Sequence, residues 1–324
     1  MSFILVLTAS HDTHADIVCK ELFRRGLDYL RFDTDTFVSQ QGAMTAFVER
    51  DGSMRTTIAV NGVSQSYDHV SRVWYRKPTD MSNQIGDSAR SRFARQELHE
   101  LLDSLGALIP SERWVSSVES LERSKHKLLQ LSEARKLGFA IPRSCASNDP
   151  EVIRNFVNTA KGQVVYKTLF QPRIDDEHGD VVGGIPTSVI SPVHLEHLGL
   201  LRASGGMFQE YIEKAYEVRV TVIGNRVFSA RIDSQVSPSA QVDWRKEIIK
   251  GGIPVSAYQL SEIEEQRCRK LISSFGLVFG AIDLIAKPDG EYVFLELNPN
   301  GQWYWVEHLT GMPMVSAMAD LLST

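Results

Sequence analysis

An Asp-Gly pair flanked by two apolar runs organises residues 276–305, GLVFGAIDLIAKPDGEYVFLELNPNGQWYW. Phe279–Ala286 and Tyr292–Leu297 read as strands, with Asp289-Gly290 as the tight turn of a β-hairpin between them. Three oxygen-bearing side chains sit on that frame: Asp283, Glu296 and Asn298. Glu296 and Asn298 are two positions apart, so an extended chain points them to one side. Pairing across the turn brings Asp283 towards them. Hard-oxygen groups placed this way suit Mg2+, which takes one or two carboxylates and keeps other positions for water and phosphate oxygens. Taken alone, Asp283 reads equally well as a strand-end cap and Glu296 as a solvated surface carboxylate.

Charge and length limit what such a hairpin can serve. The chain has 324 residues, 43% hydrophobic and 23% charged, enough for two or three lobes. A net charge of -5 gives no footing for nucleic acid or an anionic membrane. The opening MSFILVLTAS has no basic segment before its apolar run and reads as a first strand, not a signal peptide. No stretch approaches the ~18 apolar residues of a membrane helix. Cys19, Cys145 and Cys268 are widely spaced and odd in number, which reads as reduced thiols of a cytoplasmic protein.

Three lobes are expected. Residues 1–115 form an α/β lobe: strand Phe3–Leu7, helix His14–Arg25 stopped by Gly26, strand Tyr29–Phe32, a hairpin about Asp51-Gly52, strand Val70–Tyr75 and helix Ser88–Leu108. The βαβ opening favours a parallel sheet. No Gly-x-Gly-x-x-Gly follows the first strand, so no dinucleotide or P-loop site is expected there. Arg72, Arg76 and Lys77 flank Val73-Trp74-Tyr75; they either hold an anion or stand as solvated edge-strand charges. Residues 116–205 form a second lobe, with helix Ser124–Leu137, a helix capped by Asp149-Pro150, strand Val164–Leu169 and a polar loop, Gln171–Pro186, read as mobile and as a candidate lid. Residues 206–324 form the third, with strand Met207–Ile212, a hairpin about Gly224-Asn225, a polar loop Ser237–Gly252, helix Ser261–Phe275, the 276–305 hairpin and a last helix from Pro313 to Leu322.

The chemistry-bearing residues fall in a recognisable order. Lys127 lies on a helix and Lys167 in the strand VVYKTL. Gln209-Glu210-Tyr211-Ile212-Glu213 ends a strand, Glu217 opens the next, and Arg219 and Arg231 lie on the following hairpin. Asp283, Glu296 and Asn298 complete the series. Over residues 120–324 this order resembles the ATP-grasp superfamily. The resemblance implies an ATP-grasp fold of two α+β lobes behind an N-terminal α/β domain. It further implies that Lys127 and Lys167 neutralise ATP phosphates, that the 210–213 backbone, with Glu210, Tyr211 and Ile212, takes the adenine, and that Glu217 holds the ribose. Asp283, Glu296 and Asn298 would bind two Mg2+ ions. Charge neutralisation and positioning are what transfer of a phosphoryl group to a carboxylate demands.

Four further stretches sharpen the likeness: VWYRKP at 73–78, RIDSQ at 231–235, DWR at 243–245 and LELNPNGQW at 295–303. With them the chain resembles the microviridin-type peptide ligases, the graspetide synthetases, over almost its whole length. That resemblance implies ATP-dependent macrocyclisation of a ribosomally made precursor peptide. An Asp or Glu side chain is phosphorylated and then captured by a Thr or Ser hydroxyl as an ester, or by a Lys amine as an amide. The implied partners are a precursor with a leader and an acidic, Thr-rich core, and a second copy of the chain as a homodimer. Arg219, Arg231 and Arg245 are the candidate catalytic guanidinium groups, because the Arg fork pairs bidentately with carboxylates; Arg245 reads equally as a loop charge paired with Asp243 or Glu247. Gln302, Trp303 and Trp305 either line the acceptor site or pack. The leader is expected at 171–186 or 234–252. The alternatives are an ATP-grasp ligase of small molecules such as amino acids or short peptides, and a non-catalytic peptide-binding module.

Overall fold

The computed structural model describes residues 2–79, 88–170, 173–175, 181–249 and 251–324. The first segment alternates strand and helix: β1 (Phe3–Thr8), α1 (Thr13–Arg24), β2 (Tyr29–Asp33). A three-stranded antiparallel sheet follows, β3 (Ala43–Val48), β4 (Met54–Val60) and β5 (Val63–Ser66), before β6 (Val70–Tyr75), α2 (Ala89–Gly106) and β7 (Trp114–Val115). Strands β2-β1-β6-β7 pair in parallel, as the βαβ opening leads one to expect. β5, a short polar strand, gives no apolar signal in the sequence.

The expected helix over 124–137 is α4 (Lys127–Lys136), and a separate short helix, α3 (Val118–Ser124), precedes it. The break has a visible cause. The Gln130 side chain turns inward and donates to Ser124 O at 2.6 Å, taking a carbonyl that a continuous helix would have used. Lys127 is the first residue of α4. A second antiparallel sheet, β12-β9-β13-β8, comprises β8 (Ser144–Ser147), β9 (Val164–Lys167), β12 (Ser188–Val189) and β13 (Gly206–Glu210), with α5 (Pro150–Thr159) and α6 (Pro192–Glu196) beside it. The 171–186 stretch is not structureless: β10 (Arg173–Asp175) and β11 (Val181–Gly184) pair as an antiparallel hairpin, while 171–172 and 176–180 lie outside the described residues.

The third sheet, β16-β15-β14-β17-β18, is built from β14 (Tyr216–Ile223), β15 (Arg226–Ile232), β16 (Val255–Tyr258), β17 (Phe279–Ala286) and β18 (Tyr292–Asn298). Both tight turns bring left-handed glycines, Gly224 at φ 57° and Gly290 at φ 87°. Between the strands lie α7 (Arg245–Ile249), inside the segment read as a loop, and α8 (Glu262–Ser274); α9 (Tyr304–Thr310) and α10 (Met314–Ser323) follow β18. β16 and α9 escape a sequence reading because Gly252-Ile253-Pro254 and the aromatic run at 303–305 mask their periodicity.

Alternation along the central strands gives the sheet two different faces. Val218, Val220, Val222, Ile282 and Leu284 turn one way and are buried with Leu131 and Ala134 of α4 and Cys268, Leu271 and Ile272 of α8. Each such aliphatic side chain contributes about 1.5–3 kcal/mol when fully buried. At one end, the other face packs through Ile223, Phe228 and Ala230 against α9 and α10, and those helices pack against Ile4, Val6 and Trp74 of the parallel sheet. At its other end the same face carries Glu217, Arg219 and Asp283. No helix among the described residues is long and apolar enough to cross a membrane.

Candidate active site

Asp283 and Glu296 are direct partners across β17 and β18, and a bulge follows at Leu284, where the next pairing is to Phe294. The extra residue is Leu295, which turns towards the same cleft as Glu296. Asn298 pairs with Ala281 one pleat further on. The three side chains expected to meet do so. Asn298 Nδ2 donates to Asp283 Oδ2 at 3.3 Å and to Glu296 Oε1 at 3.1 Å.

Cations surround this pair of carboxylates. Arg219 sits opposite Asp283 on β14, and its Nη1 donates to Asp283 Oδ1 at 2.8 Å. Arg245 Nη2 donates to Glu296 Oε1 at 2.9 Å and lies 3.7 Å from Asp283 Oδ2. Lys127 Nζ donates to Glu296 Oε2 at 3.3 Å. All four carboxylate oxygens are thus engaged. Burial alone would raise the Glu296 carboxyl, but Arg245, Lys127 and Lys167 outweigh it and hold the group well below the usual carboxylate range. Lys167, at the end of β9, faces the same cleft; burial pulls its amine from 10.5 down to about 8, with Glu296 opposing and Lys127 and Arg245 reinforcing the drop.

The cleft holds about 310 Å³. A smaller, mostly apolar slot shares Lys167, Lys214 and Leu295 with it and runs along Val165, Glu210, Tyr211, Ile212 and Ile285. The chain at 210–211 is pinned from outside, with Glu210 N–H donating to Arg143 O and Tyr211 N–H to Gln163 O. Glu217 is buried; Lys214 Nζ donates to its Oε1 at 2.6 Å and Ser234 Oγ at 2.9 Å. Burial raises the Glu217 carboxyl, and Lys214 and Ser234 oppose the rise.

Arg231 is not brought into this group. It pairs with Val218, not with Arg219, so it projects from the opposite face of the sheet. There it holds Asp233 at 2.8 Å and stacks 3.9 Å over the Tyr216 ring. Arg76 is not a solvated edge-strand charge: it is 1% exposed, lies 3.3 Å from the Asp12 carboxylate and donates to Asn300 O. Trp303 is fully buried packing, whereas Gln302 is exposed and only its backbone carbonyl is used, by Arg219 Nη2 at 3.0 Å. Arg245 is held through its neighbour Trp244, which packs at 5.4 Å on Trp305.

Two participants were missed in the sequence. Lys214 reads there as one more polar residue before a strand. Gln130 pairs with Leu297, between Glu296 and Asn298, accepting its N–H at 2.9 Å and donating to its O at 2.7 Å. It caps the free edge of β18 as another strand would. A glutamine inside a helix gives no signal of that.

The group fits Mg2+. Among the described residues no cluster of three or more His, Cys, Asp or Glu side chains could hold a metal, but two carboxylates and a carboxamide supply hard oxygen donors. Asn298 has only to present Oδ1 where Nδ2 now stands, a half-turn of its amide.

Residues 3–125 match the family described as the MvdD pre-ATP grasp domain, and residues 189–322 the RimK-like ATP-grasp domain. Among solved structures, a RiPP-associated ATP-grasp ligase of Chryseobacterium gregarium, in complex with ADP and a leader and core peptide, is 30% identical with a TM-score of 0.88, over 100% of this chain and 97% of that one. Macrocyclase MdnC of Microcystis aeruginosa, bound with precursor peptide MdnA, is 31% identical with a TM-score of 0.85, over 99% of each chain. A curated relative, a probable alpha-L-glutamate ligase of Shewanella halifaxensis, is 26% identical over 212 residues, which span 64% of this chain and 43% of that protein. Full-length likeness to the first two, with both domain matches in order, means that the chain belongs to the ATP-grasp superfamily, within the microviridin-type family of peptide ligases.

Proposed function

We propose that this chain is an ATP-dependent macrocyclising ligase that activates Asp or Glu side chains of a ribosomal precursor peptide and joins them to Thr or Ser hydroxyls or to Lys amines. The observation that carries the chemistry is the cleft itself. Two carboxylates and a carboxamide converge under Lys127, Lys167, Arg219 and Arg245, beside an apolar slot edged by the 210–212 backbone. The relatives crystallised with bound peptide support the substrate class.

Within this reading residues 1–115 are the pre-ATP-grasp unit, 116–205 the small lobe and 206–324 the large lobe, although β13 (Gly206–Glu210) pairs with β8 and β9 of the small-lobe sheet. Glu210, Tyr211 and Ile212 border the adenine, and Glu217, with Oε2 still open, holds the ribose. Lys127 and Lys167 face the phosphates. Asp283, Glu296 and Asn298 hold Mg2+, two ions in the full complex, which when bound neutralises the phosphate oxygens. Arg219 is fixed by Asp283 and Gln302 O. Arg245 is the most exposed of the cations, its side chain 49% accessible, and is the one free to leave Glu296 for the peptide carboxylate. Arg231, on the far face, orders Asp233 and the Tyr216 edge and takes no part in the chemistry. The β10–β11 hairpin, flanked by exposed Phe170 and Ile185 at the cleft, is the lid that keeps water from the acylphosphate. It and the 234–252 segment are the proposed leader contacts. A cytoplasmic homodimer completes the proposal, which sedimentation velocity tests.

Trapping reads the activated intermediate. With an acidic peptide, ATP, Mg2+ and hydroxylamine, the enzyme is expected to release ADP and leave a hydroxamate on the peptide. ADP release from free glutamate alone, with no peptide product, would favour a small-molecule ligase.

A further inference from the structure

The chain between Asn298 and α9 is held at several backbone groups. Asn300 O accepts from Arg76 Nη1 at 2.6 Å. Gly301 N–H donates back to Asn298 O at 3.1 Å. Gln302 O accepts from Arg219. The N–H groups of Trp303 and Tyr304 both donate to His14 Nε2, at 3.0 and 3.1 Å. A Cβ on Gly301 would stand 2.7 Å from Ala281 Cβ and 2.8 Å from Arg219 Nη2, so the turn has no slack.

Two of the three side chains that do this come from the N-terminal lobe, 224 and 289 positions away in sequence. They are one unit. Asp12 accepts from Thr8 Oγ1 at 3.0 Å and from His14 N–H at 2.9 Å, and lies 3.3 Å from Arg76 Nε. Accepting two N–H groups keeps His14 Nε2 unprotonated, with the Nδ1 side turned to Asp12 at 3.4 Å. Asp12, His14 and Arg76 are 9%, 8% and 1% exposed, and none of them lines the cleft. Apolar packing of Trp74, Trp303 and Val306 already joins the lobes here, and a buried ion pair adds little to stability over apolar residues of the same volume. What the polar trio adds is direction: Arg76 and His14 fix three backbone groups of the turn that follows Asn298, and Asp12 holds those two side chains.

We propose that Asp12, His14 and Arg76 are positioning residues for the ligase reaction, through which the N-terminal lobe sets where Asn298 presents its amide. This rests on the reading of Asp283, Glu296 and Asn298 as the metal ligands. None of the three touches a ligand side chain; they act through the backbone that follows Asn298, so the expected loss lies at the low end of what disturbing a ligand's support costs.

Calorimetric titration of Mg2+ into the protein–ADP complex tests it, using the full chain, Arg76→Lys, His14→Leu, His14→Gln and Glu296→Gln. Arg76→Lys keeps a charge beside Asp12 but cannot also reach Asn300 O. It and His14→Leu are expected to weaken Mg2+ binding roughly tenfold, with Mg2+-free ADP binding unchanged. His14→Gln, whose side-chain oxygen accepts both N–H groups, is expected to restore most of the loss. Arg76→Lys carries the test should His14→Leu not fold. Wild-type Mg2+ binding in Arg76→Lys, with only the melting temperature lowered, would overturn the proposal and leave the trio as lobe packing. Undiminished Mg2+ binding in Glu296→Gln would overturn the metal assignment beneath it.

Discussion

Lys167 titrates within reach of ordinary buffers, which makes its role measurable. In the nucleotide-free protein its amine is pulled from 10.5 to about 8 by burial, with Glu296 opposing. Phosphate oxygens bind the charged form, so bound nucleotide raises the value again. The favourable interaction is therefore fully present below pH 8 and is lost as pH rises through 8. Affinity should fall by about tenfold between pH 7 and pH 9, about 1.4 kcal/mol. At pH 8 nucleotide binding should take up about half a proton. Isothermal calorimetry with ADP in two buffers of different ionisation enthalpy reads that proton directly. Lys167→Met should bind more weakly at pH 7 and lose the pH dependence. The same displacement has a stability sign. Between pH 8 and 10.5 the unfolded chain holds more protons at this site, so stability of the nucleotide-free protein should rise with pH over that window. At neutral pH the burial costs up to about 3 kcal/mol, reduced because the side chain is only partly buried, so Lys167→Met should also raise the melting temperature. No proton uptake at pH 8, together with flat affinity from pH 7 to 9, would refute the placement of Lys167 at the phosphates.

Glu296→Gln should abolish turnover while the protein stays folded by circular dichroism; wild-type rates would sink the metal assignment. Arg219→Ala should lower kcat by about 10²–10³ and weaken nucleotide binding far less; the reverse split in kcat and Kd would make Arg219 a ground-state nucleotide contact. It should also lose about 3 kcal/mol of stability in urea, because buried Asp283 keeps only Asn298 and, at 3.7 Å, Arg245. Arg231→Ala should keep near-normal kcat, and a collapse in rate with normal folding would contradict its place on the far face. Gln130→Leu should lose about 2 kcal/mol and slow turnover, since it strands both backbone groups of Leu297.

Local pattern carries much of this site. The two-residue spacing of Glu296 and Asn298 puts both on one side, but the turn alone does not put them beside Asp283: the register leaving it, Ala286 against Tyr292, would set Asp283 against Leu295, and the bulge there is what brings Glu296 opposite. The same reasoning separates Arg219 from Arg231. The Gly224-Asn225 turn pairs Ile223 with Arg226, and counting outward sets Arg219 against Ala230 and Arg231 against Val218. Treating the three arginines as one run by charge alone passes over that parity. The contacts of Gln130, His14 and Arg76 are of another kind. They join side chains to backbone groups more than 160 positions away, and no periodicity encodes which carbonyl a distant side chain will meet.

The most direct measurement is mass spectrometry of an acidic, Thr-rich candidate precursor peptide after incubation with the enzyme, ATP and Mg2+. The account predicts loss of one water per ring, absent without ATP and absent with Glu296→Gln, and ester or amide links by tandem fragmentation. A peptide of unchanged mass, while the enzyme turns over ATP with a free amino acid, would contradict it.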